Sequence, residues 1–162
     1  IPVFLDEIDG QPVLTGHIMK KTDHHKAFIE NPDALIVFTG PHTYISASWY
    51  PDPAQASTWN YMSVHVRGKI RFLGEDALLE LLERTTNHFE KNPNAFSSMP
   101  TEYIERMIGA IDAFEMKVEK LEHVFKLSQN KDPQTFQSIL AELDKGDANA
   151  KAIAHEMRSV KR

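Results

Sequence analysis

The sequence predicts a mainly β domain, a small barrel or strongly curved sheet with peripheral helices. Three observations carry that prediction. Six short apolar or alternating runs show strand period, five of them before residue 73 and the sixth at 111–121. One helical pattern lies between two of these runs and the others fall later, which argues for helices placed around a sheet. No Gly-x-Gly-x-x-Gly and no phosphate-cradling glycine loop occurs, which disfavours a doubly wound nucleotide fold.

Residues 1–6 and 12–17 are joined by Glu7-Ile8-Asp9-Gly10, and because Asp-Gly favours a tight turn they read as a hairpin. Thr22 or Asp23 then caps a short helix over 24–30, which Asn31-Pro32 ends because the residue before proline is pushed out of the helical region. Residues 34–39 are too few for a typical helix and too uniformly apolar for an exposed strand, so a buried strand is expected. A shorter alternating run covers 42–48, and 51–57, with two prolines and no period, reads as a loop.

Over 61–72, Met62, Val64, Val66, Ile70 and Phe72 share one face. Ser63, His65, Arg67, Lys69 and Arg71 share the other, whose cations either meet an anionic ligand or are simply solvated. Leu78, Leu79, Leu82 and Phe89 form one stripe of a helix over 75–90. A loop follows at 92–100, and Thr101 caps a short helix to Ile108. Residues 111–121 alternate as a half-exposed strand. The tail holds two helical patterns, 133–143 with Phe136, Ile139, Leu140 and Leu143 as its stripe, and 148–157, divided by Lys145-Gly146-Asp147.

A chain of 162 residues with 41% hydrophobic content is expected to form one domain with a sizeable core. Its net charge of -5 and isoelectric point near 5.9 disfavour non-specific polyanion binding, which needs a concentrated basic surface. Without cysteine there is no disulfide framework, thiolate metal site or cysteine nucleophile. The chain opens at Ile1 inside a strand-like run and without methionine, so a preceding N-terminal piece is expected. No apolar run approaches the roughly 20 residues of a membrane span, so no membrane partner is expected and cytoplasm is the default location.

Two stretches carry candidate chemistry. Residues 40–72 hold both tryptophans, Trp49 and Trp59, and three of the four tyrosines, in a chain that is only 9% aromatic. Among the His, Ser, Thr and Asn around them, a flat ligand with polar edges finds both stacking surface and hydrogen bonds. The second stretch, His17, Lys20, Lys21, Thr22, His24, His25 and Lys26, runs into a helix start, where free amides and the helix dipole favour a phosphate. A solvated basic turn is the plain alternative. The eight histidines are scattered without ligand spacing, so no metal is assigned. Ser46 and Ser48 lie in no Gly-x-Ser-x-Gly context, and a serine nucleophile has no support.

Four pieces, in order along nearly the whole chain, resemble a known family: Gly16-His17 leading to Lys26 and Asn31-Pro32; residues 40–50; Thr58-Trp59-Asn60-Tyr61 followed by Val64-His65 and Gly68; and Lys126-Leu127-Ser128-Gln129-Asn130. The family is the PaiB-like proteins, labelled negative transcriptional regulators, among the FMN-binding split barrels related to pyridoxamine-phosphate oxidases. The resemblance implies a six-stranded split β-barrel whose first strand precedes Ile1, and a homodimer with FMN in a groove between subunits. It also implies a division into residues 1–130, the flavin-binding barrel with inserted helices, and 131–162, a C-terminal helical appendage of the same domain.

On matching positions, Lys20, Thr22, His25 and Lys26 are where the FMN phosphate is expected. His42, Ser46, Ser48, Thr58, Trp59 and Asn60 are expected near the isoalloxazine or the subunit interface. The chain departs from the family pattern at Thr22-Asp23 and His25, where Asn-Pro and an aromatic residue are usual, at Ser57 for proline and at Phe125 for tryptophan. The expected function is a homodimeric FMN-binding protein, either a flavin-dependent redox protein or a negative transcriptional regulator. The alternative is a dimeric protein-interaction module without flavin. No catalytic residue is assigned, although His42 and His65 merit testing, and DNA enters only through the family label.

Overall fold

The computed structural model describes residues 1–160. Among them the chain forms β1 (Val3–Ile8), β2 (Gln11–Met19), α1 (Asp23–Glu30), β3 (Asp33–Ile45), a short 3-10 turn (Ala47–Trp49), β4 (Thr58–Phe72), α2 (Glu75–Phe89), α3 (Thr101–Ala110), β5 (Ile111–Lys126), α4 (Pro133–Leu143) and α5 (Ala148–Val160). The five strands make one sheet in the order β1-β2-β5-β4-β3. The fold is mainly β with peripheral helices.

Two compact units divide the residues: Ile1–Leu35 with Val66–Lys120, and Ile36–His65 with the chain from Leu121 on. In the first, Asp9 and Gly10 both take left-handed backbone (φ 52 and 76) and turn β1 back on β2, with Ile8 opposite Gln11. Strand β2 then pairs antiparallel with β5, from Val13 opposite Lys117 to Met19 opposite Ile111. Leu78, Leu81 and Leu82 of α2 close a core on Ala113, with Phe4, Leu73 and Phe96 packed against it. Gly68 is a required glycine, because a Cβ there would lie 2.1 Å from the Lys117 carbonyl oxygen.

The second unit buries Ile45, Tyr50 and Leu127 with the inward faces of α4 and α5. The expected stripe of α4, Phe136, Ile139, Leu140 and Leu143, is buried in full. Asp132 caps that helix by accepting from the Thr135 amide, and Pro133 occupies its first turn, where no amide is needed.

Several expectations need correction. The runs at 34–39 and 42–48 are one strand, β3, which ends at Ile45, and it is not buried: Leu35, Val37 and Phe38 are exposed. Strand β3 lies at the edge of the sheet, where Pro41 is tolerated because its missing N–H leaves no central ladder bond unmade. The buried stripe of α2 uses Leu81 in place of Leu79 and Phe89, and Phe89 is 66% exposed. Thr101 is the first helical residue of α3 rather than its cap; Pro100 precedes the helix, with no side-chain cap bond. Strand β4 begins earlier than the alternation suggests, at Thr58, and β5 ends later, at Lys126.

Candidate functional site

The basic stretch folds as the turn from β2 into α1. Thr22 is the helix cap: its Oγ1 accepts from the His25 amide at 3.3 Å and donates to the Met19 carbonyl at 3.0 Å. Lys21, just before it, has φ 64. Lys20 Nζ lies 3.3 Å from Asp112 Oδ1 and donates to the Ile108 carbonyl at 3.1 Å. The buried His25 places Nε2 2.8 Å from Asp112 Oδ2 and its ring 5.0 Å from that of Phe72.

Lys26 stands apart, with its side chain 64% exposed and its ammonium 3.9 Å from Asp23. Of the four residues expected around a phosphate, Lys20 and His25 are thus drawn to one carboxylate, Thr22 is spent on the cap, and Lys26 projects outward. A cavity of about 510 Å³ opens beside the turn, lined by His17, Met19, Thr22, His24, Phe28 and Ile111 among others. Burial holds the His17 imidazole below its ordinary pKa.

In the second unit, the aromatic stretch forms an exposed ring cluster on β3 and β4. Trp59, 52% exposed, has the His42 ring centroid at 6.1 Å and the Tyr44 ring at 6.0 Å in an edge-on arrangement. Ser46 caps the 3-10 turn and shares a 2.8 Å hydrogen bond with Ser48, while Ser57 Oγ accepts from the Ala47 amide at 2.9 Å. The Lys126 ammonium donates to Thr58 Oγ1.

Asn60 is fully buried. Its Oδ1 accepts from Ser128 Oγ at 3.1 Å and its amide nitrogen donates to Met157 Sδ at 3.5 Å, so its polar groups are committed inside the unit. Ser128, in the Lys126–Asn130 piece noted in the sequence, reaches Asn60 from left-handed backbone at φ 56.

Asp112 gives no local sign of its role; it lies 87 positions along the chain from His25. The Tyr50 hydroxyl is buried without a hydrogen-bond partner among the described residues. Its pKa is pushed up by that burial and, to a lesser degree, by Tyr44. Of the cations expected on one face of β4, Lys69 pairs with Asp33 and Arg71 with Glu115.

Comparison with known proteins places the chain. A Bacillus subtilis protein named protease synthase and sporulation protein PAI 2 is 32% identical over 161 residues, covering 97% of this chain and 77% of that protein. An uncharacterized protein of Emericella nidulans is 26% identical over 151 residues, covering 72% of this chain and 60% of its own length. Among solved structures, the FAD and heme binding protein from Mycobacterium smegmatis aligns at TM-score 0.56 and 16% identity, over 87% of this chain and 64% of that one. The flavocytochrome Anf3 from Azotobacter vinelandii aligns at TM-score 0.56 and 15% identity, over 85% and 60%.

The chain therefore spans about three fifths of the fungal relative and of these two structures, whose likeness shows the fold. Residues 1–120 match the family described as "Putative FMN-binding domain", and the turn with Lys20, Thr22, His25 and Lys26, the aromatic cluster and Asp112 all fall within that match. With that match and the PAI 2 likeness together, the chain belongs to this PaiB-like family of FMN-binding domains.

Proposed function

We propose that this protein binds FMN as a homodimer and that the turn carrying Lys20, Thr22, His25 and Lys26 takes the phosphate. The family match over residues 1–120 carries the reading. The donor set suits the group. Lys26 offers an exposed ammonium, and the first amides of α1 lie beside it with the positive end of the helix dipole. A phosphate monoester near pH 7 carries close to two negative charges, and a charged donor on a small anion forms the stronger class of hydrogen bond.

The exposed rings of His42, Tyr44 and Trp59 are the surface offered to an isoalloxazine or to a second subunit. A second subunit is favoured by the exposed apolar side chains in the same unit, which include Val37, Phe38, Tyr61, Leu121, Val124 and Phe125. Exposed apolar side chains of this kind suit an interaction face. Bound FMN would supply one- or two-electron transfer; the protein's share is to hold the phosphate and to keep water off the ring face. Ser46, Ser48, Thr58 and Asn60 act in this reading by shaping the walls, since their hydrogen bonds are made within the protein.

A regulatory role is the other form of the proposal, with the flavin as the sensed ligand. Direct duplex binding is disfavoured by the chain's net charge of -5. The deciding experiment is the visible absorption spectrum of the purified protein before and after addition of FMN and desalting, with its mass by sedimentation. Retained flavin in a dimer supports the proposal. A folded dimer that retains none turns the reading to an interaction module without cofactor.

A further inference from the structure

We propose that Asp112 is a positioning residue of the phosphate turn: it fixes the tautomer of His25 and the place of the Lys20 ammonium, so that these two shape the turn and Lys26 faces the anion. This rests on the FMN reading above. A carboxylate can only accept, so the 2.8 Å contact to Asp112 Oδ2 makes His25 Nε2 the donor. A neutral imidazole then leaves Nδ1 as acceptor, and Nδ1 receives the Lys21 amide at 3.4 Å.

That amide belongs to a residue at φ 64. Left-handed backbone is unfavourable for a lysine, which has a Cβ, and it persists where the surroundings over-determine it. Here they do. The His25 side chain, 11% exposed, packs against the Phe72 ring. Lys20, the preceding residue, is held by its side chain to Asp112 and Ile108 and by its own amide to the Ala110 carbonyl at 2.9 Å. Thr22, the next, is tied to Met19 and to His25. The backbone from Met19 to Thr22 is thus fixed on both sides of Lys21, and Asp112 holds both Lys20 and His25.

The same carboxylate balances the Lys20 charge. What remains for a phosphate is the exposed side chains of Lys21 and Lys26 and a helix start whose direction the turn sets. Asp112→Asn tests this because a carboxamide has one accepting oxygen where the carboxylate has two. If that oxygen stays on Lys20, the amide NH2 faces His25, the ring must move its proton to Nδ1, and that N–H then meets the Lys21 N–H donor to donor.

The measurement is the dissociation constant of FMN and of riboflavin for wild type, Asp112→Asn and His25→Ala, with ring nitrogen shifts of His25 by NMR. Both variants are expected to weaken FMN about tenfold or more, the size of one charged hydrogen bond, and to leave riboflavin within twofold, since riboflavin has no phosphate to misplace. The ring shifts should report a proton on Nε2 in the wild type and lose that pattern in Asp112→Asn. His25→Ala keeps the test alive if the asparagine variant does not fold.

Unchanged or tighter FMN binding, or an equal loss for riboflavin, overturns the inference while the FMN reading stands. A wild type that binds no FMN is a different result, which removes the FMN reading and this inference with it.

Discussion

The turn into α1 and the aromatic cluster on β3 and β4 both stand out in the sequence as dense polar stretches, and the structure treats them in opposite ways. In the turn, polar side chains satisfy one another: Lys20 and His25 meet on Asp112 and Thr22 closes the cap, while the exposed side chains of Lys21 and Lys26 are left outward. In the cluster, the small polar groups between the rings are satisfied, while the rings stay exposed, Tyr44 at 47% and Trp59 at 52%. A closed polar turn with exposed lysines beside it suits a small anion. Open ring surface leaves apolar area in water, at about 25 cal/mol per Å², which only a partner or a planar ligand can remove.

Breaking that comparison begins with Asn60, which lies in the aromatic stretch but behaves like a residue of the closed turn. Asn60→Ala strands the Ser128 hydroxyl in the core and leaves a gap beside Met157. The expected cost is about 2–3 kcal/mol of stability, read by urea unfolding. An intact stability with a selective loss of flavin would place Asn60 on the ligand instead. Trp59→Ala should do the reverse. Stability should hold within about 0.5 kcal/mol, as for an exposed side chain, while the dissociation constant of the proposed dimer rises about thirtyfold, the effect of an aromatic anchor worth about 2 kcal/mol. Sedimentation equilibrium of the two proteins decides it.

Lys26→Ala sharpens the other side. With the turn closed, this side chain should be the direct phosphate partner, and its loss should weaken FMN by about 1.5–3 kcal/mol. Riboflavin affinity and the unfolding midpoint should stay as they were. A flavin fluorescence titration that gives equal FMN constants for both proteins removes Lys26 from the site.

What could be read beforehand divides along the same line. The hairpin is announced by Asp9-Gly10, the cap of α1 by Thr22, and the α4 core by the spacing of Phe136, Ile139, Leu140 and Leu143, because each signal lies within a turn or two of chain. The union of two runs into β3 was hidden by Gly40-Pro41, which reads as a break unless the strand is known to lie at an edge. The choice of Leu81 over Leu79 and Phe89 depends on which face of α2 meets Ala113. The commitment of Lys20 and His25 is the sharpest case. A basic cluster beside a helix start looks free in the sequence, and the carboxylate that engages it arrives from the start of β5, 87 positions beyond His25. Local pattern locates the turn; only a long-range contact tells which of its cations are free.

The smallest expected effect tests whether internal commitment of charge in the first unit is a matter of stability alone. Arg84 grips Asp6 with two 2.8 Å hydrogen bonds and lies 3.9 Å above the Phe4 ring, far along the chain from the basic turn. Those bonds, with a further one from Thr15, hold the Asp6 carboxyl below its ordinary pKa against the opposing pull of burial. A carboxyl lowered on folding contributes stability that is fully present above its unfolded value of about 4. That contribution is lost as pH falls through the lowered folded value. Arg84→Met should therefore cost about 0.5–1 kcal/mol near pH 7, kept small by solvent screening at a partly exposed pair, and the two proteins should converge in thermal stability as pH falls below the ordinary carboxylate range. FMN affinity should not move. A variant that keeps its deficit in acid has lost packing over Phe4 rather than charge, and one that also loses FMN would tie this pair to the flavin site and erase the distinction between structural and ligand-facing cations.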